Sequence, residues 1–276
     1  MIEFDERTLV GSGAFASVYR VKKDDEYFAL KDVEDRSLRD REARFLKLAS
    51  HPLFPKYYQS FDEGTSHYIL REYVWGENFA DCIARRGGFT QAECMRFAIS
   101  VADGISFLQQ SDGNILFRDL KAENMILQPS GEIRLCDLGA ACFLSEAYLS
   151  MAGTKGDSAP EQIMDPGGQG MYSDVYAFGK LFYHMLTGQK ADPDDDIVSI
   201  RAVYPGFSAC LELLIRQCCA YDPVMRIPDM FSVLTRLTEI ATQTPRGYRK
   251  LEKNAERELR ALANGESVTY SRNVQS

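Results

Sequence analysis

The stretch that decides the fold runs from residue 117 to residue 139. It reads Phe-Arg-Asp-Leu-Lys-Ala-Glu-Asn (117–124), then an apolar run, a turn at 129–131, a second apolar run and Asp-Leu-Gly (137–139). Asp119 can accept a proton from an attacking hydroxyl, and Lys121 adds a positive charge beside it. Asn124 and Asp137 offer the hard oxygen ligands that Mg²⁺ prefers and shares with substrate phosphates. These side chains predict phosphoryl transfer, which needs mainly positioning and electrostatic stabilisation.

An ordinary β-hairpin with scattered polar residues is the alternative for this stretch, but the joint spacing of five polar residues and one glycine (Arg118, Asp119, Lys121, Asn124, Asp137 and Gly139) argues against it. The pattern resembles that of the protein kinases, His-Arg-Asp-Leu-x-x-x-Asn followed by Asp-Phe-Gly. Phe117 stands where the family has His, and Leu138 where it has Phe. Both replaced residues pack a hydrophobic spine in the family, a role that Phe and Leu can also fill.

The resemblance extends over roughly residues 8–240 and implies a fold class. We expect an α+β, bilobal, protein-kinase-like fold with a small antiparallel β N-lobe carrying one helix and a larger, mostly α-helical C-lobe. The expected boundaries are 1–74 for the N-lobe and 75–241 for the C-lobe. Residues 242–276 are expected to form a charged helix, at Arg249–Ala263, followed by a disordered tail.

A glycine-containing turn between two strands is predicted near the N-terminus. Gly11, Gly13 and Ala16 are small enough to let backbone N–H groups approach phosphates, although a plain hairpin turn is the alternative. Ala16 replaces the third glycine of the family's loop, which predicts a stiffer loop. The resemblance implies an adenine site formed by side chains of Val10, Val18, Ala29 and Ile126 and by backbone groups of Glu72–Val74.

Lys31 ends an apolar strand, and the resemblance implies that it contacts the α- and β-phosphates. A helix is predicted to follow, with Ser37 as its N-cap. Glu42 falls near the apolar face of that helix, where a carboxylate is unfavourable unless it is paired. We therefore expect Glu42 to form an ion pair with Lys31. The link between Lys31 and the helix is short, and the alternative is that Glu42 is a surface charge.

Arg71 precedes the expected hinge and occupies the position known in the family as the gatekeeper, which is usually apolar or Thr. One hypothesis is that Arg71 narrows the back of the pocket and pairs with Glu42 or Asp137. The alternative is an edge-strand arginine that faces water.

The segment after Asp137 ends in Gly-Thr-Lys-Gly-Asp-Ser-Ala-Pro-Glu (153–161), and Ala-Pro-Glu closes the activation segment in the family. Candidate phosphorylation sites are Ser145, Ser150 and Thr154. A phosphate there can pair with Arg118, whereas an unmodified, solvent-exposed loop is the alternative.

Two residues in the C-terminal half are predicted to have structural roles. Asp174 resembles the family's buried aspartate that braces the catalytic loop. Arg226 is expected to pair with Glu161.

Composition narrows the functional classes. The chain has 276 residues, 45% of them hydrophobic, and a net charge of −8, which argues against a nucleic-acid-binding protein. Its seven cysteines lack metal-ligand spacing, so we expect reduced thiols in the cytoplasm. No apolar run approaches the roughly 18 residues that span a bilayer, and the charged N-terminus does not resemble a signal peptide. We expect no membrane contact in this chain, although a full-length form could be membrane-tethered.

The resemblance is strongest to bacterial eukaryotic-type serine/threonine kinases, and Lys121 two residues after Asp119 suits the serine/threonine class. It implies ATP and Mg²⁺ as cofactors and protein serine or threonine hydroxyls as substrates, including those of the chain itself. In the implied mechanism Lys31, held by Glu42, binds the phosphates, and Asn124 and Asp137 bind Mg²⁺. Asp119 is the base, and Lys121 steadies the γ-phosphate. The rival hypothesis is a pseudokinase that binds nucleotide or acts as a scaffold. A small-molecule phosphotransferase is disfavoured by Ala-Pro-Glu and Arg226.

Overall fold

A five-stranded antiparallel sheet forms the N-terminal part of the chain in the computed structural model, which describes residues 4–13, 15–149, 153–154, 156–191 and 199–264. The spatial order of the strands is β1-β2-β3-β5-β4. Their bounds are Glu6–Ser12 (β1), Ala16–Lys23 (β2), Glu26–Val33 (β3), Tyr57–Glu63 (β4) and Ser66–Glu72 (β5).

Two tight turns set the register of this sheet. Asp24 and Asp25 form the two-residue turn between β2 and β3, with φ angles of 50° and 64°, as a type I′ hairpin requires. Between β4 and β5, Gly64 takes a φ of 61°. In the resulting register Ala29 lies opposite Arg71, and Lys31 lies opposite Ile69. Because side chains alternate along a strand, these four share one face of the sheet.

Helix α1 (Arg36–Leu48) packs against that face. Its N-cap is Asp35, whose carboxylate accepts from the backbone N–H groups of Ser37 (2.7 Å) and Leu38 (3.2 Å). The prediction of Ser37 as N-cap was therefore wrong by two residues. Asp35 is the better cap because an aspartate in extended backbone just before the first turn reaches two free N–H groups at once. The Ser37 hydroxyl donates to the Asp35 carboxylate.

Asp35→Ala should lower the free energy of unfolding by about 1 kcal/mol, since the first turn of α1 loses its capping acceptor. Ser37→Ala, which removes the side chain predicted from the sequence but leaves the cap in place, should change stability by less than about 0.5 kcal/mol. Urea denaturation of both variants measures the difference. Equal losses, or a larger loss for Ser37→Ala, would contradict this assignment of the cap.

The C-terminal part is mostly helical. Its helices are α2 (Phe79–Arg86), α3 (Gln91–Gln109), α4 (Pro160–Met164), α5 (Met171–Thr187), α6 (Ile200–Val203), α7 (Ala209–Cys218), α8 (Met230–Thr242) and α9 (Pro245–Ala263). This part also contains short strands: β6 (Glu77–Asn78), β7 (Ile115–Leu116), β8 (Met125–Leu127), β9 (Ile133–Leu135) and β10 (Cys142–Phe143). Strand β8 pairs with β6 and β9, and β10 pairs with β7. The architecture is the α+β, bilobal arrangement expected from the sequence.

One large apolar cluster joins the two parts of the molecule. It runs from Phe45 of α1 through Phe117 and Leu138 to Phe178 of α5, all almost fully buried. Phe117 and Leu138 are thus core residues, as their apolar character predicts. The polar residues between them in sequence are held at fixed positions because both ends of the segment are anchored in the core.

Helix α9 packs against α7 at the end of the described chain. Ala255 is buried beside Ala209 and Leu213, and Glu252 accepts from the backbone N–H of Ala209 at 2.9 Å. The charged helix predicted for Arg249–Ala263 is present, but it begins four residues earlier, at Pro245 after the N-cap Thr244. The tail predicted to be disordered lies, from residue 265 onward, outside the described residues.

Within the described ranges, no helix combines the length and the apolar character needed to cross a bilayer. The seven cysteines are all free thiols.

Candidate active site

Two adjoining cavities lie between the sheet and the helical part, with volumes of about 360 and 580 Å³. The smaller cavity contains the predicted adenine site, namely Val10, Val18, Ala29, Glu72–Val74 and Ile126, together with Gly11 of the glycine-containing turn. The larger cavity contains Gly13, Glu42, Asp119 and Lys121. Lys31, Asn124 and Asp137 line both. The structure therefore brings every predicted site residue to one continuous cleft, although these residues are far apart in sequence.

Close backbone contact positions the floor of the smaller cavity. Gly76 of the hinge sits so near β8 that a Cβ there would come within 2.3 Å of the carbonyl oxygen of Leu127. Asn78 pairs with Ile126 in the ladder between β6 and β8. The hinge and Ile126 are thus fixed relative to each other, and only glycine fits at position 76.

Lys31 is the centre of a buried charge cluster. Its Nζ donates to both carboxylate oxygens of Glu42, at 2.9 and 2.8 Å, and to Oδ1 of Asp137 at 3.1 Å. The predicted ion pair between Lys31 and Glu42 is present, and the alternative of a surface glutamate is wrong, since Glu42 is only 3% exposed. The short link before α1 places Glu42 inward because the helix begins directly after β3.

Burial and pairing oppose each other in this cluster. Burial lowers the pKa of Lys31, but the charges of Glu42 and Asp137 outweigh it and hold that pKa above its ordinary value. Burial likewise disfavours the charged form of Asp137, yet Lys31 and the N–H of Gly139 hold its pKa below the ordinary value. Lys31 is therefore a cation and Asp137 an anion at neutral pH, as a phosphate contact and a metal ligand require.

Asp119 accepts hydrogen bonds from three neighbours. Lys121 Nζ lies 2.9 Å from Oδ2, Asn124 Nδ2 donates to Oδ2 at 2.9 Å, and the Thr154 hydroxyl donates to Oδ1 at 2.7 Å. Lys121 also donates to the Thr154 hydroxyl at 2.6 Å. The Thr154 hydroxyl is thus hydrogen-bonded to both the Asp119 carboxylate and the Lys121 ammonium. A substrate hydroxyl needs the same position for general-base catalysis.

Thr154 was predicted only as a phosphorylation site, and its contact with Asp119 was missed. The two residues are 35 positions apart in sequence, so no local pattern links them. Their contact depends on the path of the segment that ends at Ala-Pro-Glu. In the sequence, the short distance between Gly153-Thr154 and Ala-Pro-Glu was the feature that could have indicated a contact between Thr154 and the site.

Asn124 and Asp137 each keep a side-chain oxygen that can bind Mg²⁺. Asn124 uses its amide nitrogen to bind Asp119, which leaves Oδ1 for a ligand. Asp137 uses Oδ1 to accept from Lys31 and Gly139, which leaves Oδ2. No group of three or more His, Cys, Asp or Glu side chains forms a metal cage within the described part of the chain. One carboxylate and one amide oxygen suit Mg²⁺, which keeps several waters and completes its shell with substrate phosphates.

Asp174 holds the backbone of the catalytic loop, as predicted. Its carboxylate accepts from the N–H groups of Phe117 (3.0 Å) and Arg118 (2.8 Å) and from Gln109 Nε2 (3.2 Å). Arg118 has a φ of 68°, an unfavourable angle for a side chain with a Cβ. The hydrogen bonds to the fully buried Asp174 stabilise this conformation, and it aims Asp119 into the cleft.

The activation segment is tied to the helical part by the predicted ion pair. Arg226 Nη1 lies 2.6 Å from Oε1 of Glu161, and both side chains are buried. Arg118 is buried as well, and its Nε donates to the carbonyl oxygen of Ala140 at 2.7 Å. Ser145 is exposed, whereas Ser150 lies outside the described residues. The proposed phosphate contact of Arg118 stays a prediction.

Arg71 lines the back of the smaller cavity, as one hypothesis from the sequence held, but it does not form the ion pair that this hypothesis also expected. It is 7% exposed, so it is not a surface arginine. It forms no ion pair with Glu42 or Asp137, because Lys31 is the ion-pair partner of both. Its Nε is buried without a hydrogen-bond partner. The side chain instead lines the smaller cavity beside Cys136.

The carboxylate of the neighbouring Glu72 is engaged in an ion pair. Its carboxylate binds Arg134 at 3.0 and 2.7 Å and accepts from the N–H of Lys56. Arg134, 62 residues away, had not been recognised from the sequence. Because its carboxylate is engaged, Glu72 can serve a nucleotide base only through its backbone, as expected.

Comparisons with known proteins agree with this geometry. Residues 4–236 match the family described as "Protein kinase domain". The cAMP-dependent protein kinase catalytic subunit of Dictyostelium discoideum is 28% identical over 82% of this chain and 37% of its own length. The human cAMP-dependent protein kinase catalytic subunit PRKX is 31% identical over 70% of this chain and 56% of its own length.

A third relative, CBL-interacting serine/threonine-protein kinase 8 of Arabidopsis thaliana, is 27% identical over 65% of this chain and 43% of its own length. The match thus spans only about a third to somewhat over half of the length of these relatives. The family match itself extends from the first described strand into α8. The chain belongs to the protein kinase family.

Proposed function

We propose that the chain is a serine/threonine protein kinase that uses ATP and Mg²⁺, transfers the γ-phosphate to protein hydroxyls and phosphorylates itself. The observation that carries this proposal is the convergence of Lys31, Asp119, Asn124 and Asp137 on one cleft. All four retain the side-chain chemistry that phosphoryl transfer requires. The names of the relatives, which include cAMP-dependent and CBL-interacting kinases, support the same activity.

Asp119 orients the attacking hydroxyl and accepts its proton. The hydrogen bond from Thr154 Oγ1 supports this role, because the base already accommodates a hydroxyl at 2.7 Å. Lys121, within 3.1 Å of Asp119 Oδ1, adds positive charge where the transferred group carries negative charge. Displacement of Thr154 by a substrate serine or threonine would preserve both contacts.

Lys31 and the glycine-containing loop bind the phosphates in this proposal. The pairing of Lys31 with Glu42 holds its ammonium group in the cleft. Gly11 and Gly13 line the two cavities, and a Cβ at Gly11 would meet nothing within 4 Å. Glycine there is not required by packing within the protein, which fits a role in leaving room for a ligand. When bound, Mg²⁺ would be held by Asn124 and Asp137 and would neutralise phosphate charge.

The finer assignments belong to the same proposal. The motifs Gly-Thr-Lys-Gly-x-x-Ala-Pro-Glu-Gln and Phe-Arg-Asp favour the bacterial eukaryotic-type group, although the relatives named above are eukaryotic. We propose protein substrates and a cytoplasmic location, which the seven free thiols support.

A pseudokinase is the second candidate function, and Arg71 is the observation that favours it. A buried arginine in the nucleotide cavity can obstruct ATP. Incubation with Mg²⁺ and labelled ATP separates the two candidates, because only the kinase incorporates label into itself or into a test protein. Incorporation that disappears on addition of a chelator would favour the kinase.

Lys31→Met should reduce labelled-phosphate transfer on the order of 10²-fold, since a preorganised cation is removed from the phosphate site and Glu42 loses its partner. Lys23→Met, at an exposed position in β2, is the matched control and should transfer phosphate like the wild type. Initial rates at saturating Mg²⁺ measure both variants. Wild-type rates for Lys31→Met would show that Lys31 does not bind the phosphates.

A further inference from the structure

Arg71 lies on β5 and lines the nucleotide cleft. It lies opposite Ala29 in the ladder of β3 and β5, on the face that also carries Lys31. Ala29 is part of the apolar slot for the base, and Arg71 lines the same cavity. The arginine is therefore at the inner end of the slot, next to the hinge residues Glu72–Val74.

Arg71 forms no ion pair within 4 Å among the described residues, although the charges of Glu42, Asp137 and Glu72 lie near enough to interact with its own. The side chain is more than nine-tenths buried, and its Nε has no hydrogen-bond partner. Burial raises the pKa of the neighbouring Cys136 thiol, and the Arg71 guanidinium opposes that rise. A thiol is a weak acceptor and does not satisfy a guanidinium with five N–H donors. Buried arginines are normally paired, so this one is suited to receive acceptors from a ligand.

The position of Arg71 indicates which part of a nucleotide supplies those acceptors. Arg71 lines the smaller cavity, together with the apolar slot and the hinge. It is not among the residues lining the larger cavity, where the tip of the glycine-containing loop, Asp119 and Lys121 lie. Lys31, Asn124 and Asp137 also line the smaller cavity, but Arg71 lies directly opposite Ala29 of the apolar slot and immediately before the hinge. We therefore take the ligand group that faces Arg71 to be an edge of the base.

Purine bases differ at the edge that an arginine can read. Guanine and hypoxanthine present two adjacent acceptors, N7 and O6, and the two parallel N–H groups of a guanidinium bind both. Adenine presents N7 but carries an amino donor at position 6, which opposes the N–H donors of arginine. A guanidinium at the inner end of the slot thus favours a 6-oxopurine.

We propose that Arg71 is a base-specificity residue and that this cleft binds 6-oxopurine nucleoside triphosphates, GTP foremost, at least as tightly as ATP. The inference rests on the proposed function only in taking the cleft as a nucleotide site. It deepens that proposal by naming the class of phosphate donor. It does not require that the chain transfers phosphate.

Calorimetric titration of the intact chain with Mg²⁺ and each of four nucleotides tests the proposal directly. We expect GTP and ITP to bind at least as tightly as ATP. We expect 7-deaza-GTP, which lacks the N7 acceptor, to bind about tenfold more weakly than GTP. Tighter binding of ATP than of both GTP and ITP, or equal binding of GTP and 7-deaza-GTP, would overturn the proposal.

Variants assign the effect to the side chain. Arg71→Met keeps a long side chain of similar volume but removes the two parallel N–H donors of the guanidinium. It should shift the ratio of GTP to ATP affinity toward ATP by at least about tenfold. Arg71→Lys keeps the charge but loses the paired donors, so it should also lose most of the preference. Arg86→Met, at an exposed arginine of α2 that lines neither cavity, should leave the ratio unchanged. An unchanged ratio in both Arg71 variants would refute the role of Arg71.

The binding readout separates this inference from the proposed function. Base preference without any phosphate transfer would support the inference and exclude the kinase activity. Transfer from ATP with a strong preference for ATP would support the kinase and reject the inference. Absence of binding by all four nucleotides would reject both.

Discussion

Asp119→Asn is expected to lower phosphoryl transfer by roughly 10²- to 10⁴-fold, because the residue that accepts the proton becomes an amide with no basic oxygen. The substitution keeps the shape of the side chain and leaves one oxygen to accept from Thr154 or Lys121. Folding and nucleotide affinity should therefore stay close to those of the wild type. Transfer of labelled phosphate to the chain itself and to a test protein measures the loss.

The matched control for this variant is Asp112→Asn, at an exposed turn position after α3. It removes the same charge and should leave the rate unchanged. A rate for Asp119→Asn within a few-fold of the wild type would rule out Asp119 as the base. A loss accompanied by unfolding, seen in the circular dichroism spectrum, would instead indicate a structural role.

Arg226→Met is expected to lower the free energy of unfolding by about 3–5 kcal/mol, because it leaves the buried carboxylate of Glu161 without its ion-pair partner. Arg226 is fully buried and also donates to the carbonyl oxygens of Tyr172 (2.9 Å) and Ala220 (3.0 Å). Those acceptors lose their donor as well. Guanidinium denaturation followed by tryptophan fluorescence and circular dichroism measures the change.

Two comparisons sharpen this test. Arg257→Met, at an exposed position of α9, should change stability by no more than about 0.5 kcal/mol. The double variant Arg226→Met with Glu161→Met removes both charges, and part of the lost stability should return since no unpaired carboxylate is left. A loss below 1 kcal/mol for Arg226→Met would mean that the ion pair does not hold the activation segment to the helical part.

The limits of the sequence are clearest at residues whose partners are distant. The N-cap of α1 was placed at Ser37, although Asp35 reaches the free N–H groups better. Both residue types are common caps, and only the backbone path out of β3 distinguishes them. Thr154 was predicted as a phosphorylation site, but its contacts with Asp119 and Lys121 join residues more than 30 positions apart.

Arg71 shows the same limit most strongly. A strand residue beside a hinge can face water or the cleft, and strand periodicity alone does not choose between them. Pairing of β5 with β3 places Arg71 opposite Ala29 and turns it inward. Its two candidate partners already pair with Lys31. The absence of an ion pair for Arg71 is thus a property of the assembled charge cluster and could not be predicted from any one segment.

The sequence by itself determined the fold class and the set of polar residues that meet in the cleft. It did so through the resemblance of its spaced motifs, above all those within 117–139, to the protein kinases, and apolar residues on both sides of that segment anchor it in the core. The pair of Lys31 and Glu42 was also predictable, since a carboxylate on an apolar helix face requires a cation. Only the tertiary structure decided the environment of Arg71, the hydroxyl on Asp119 and the ion pair of Glu72 with Arg134. These depend on packing between segments far apart in the chain, where small changes in backbone path decide which donors and acceptors come within hydrogen-bonding distance.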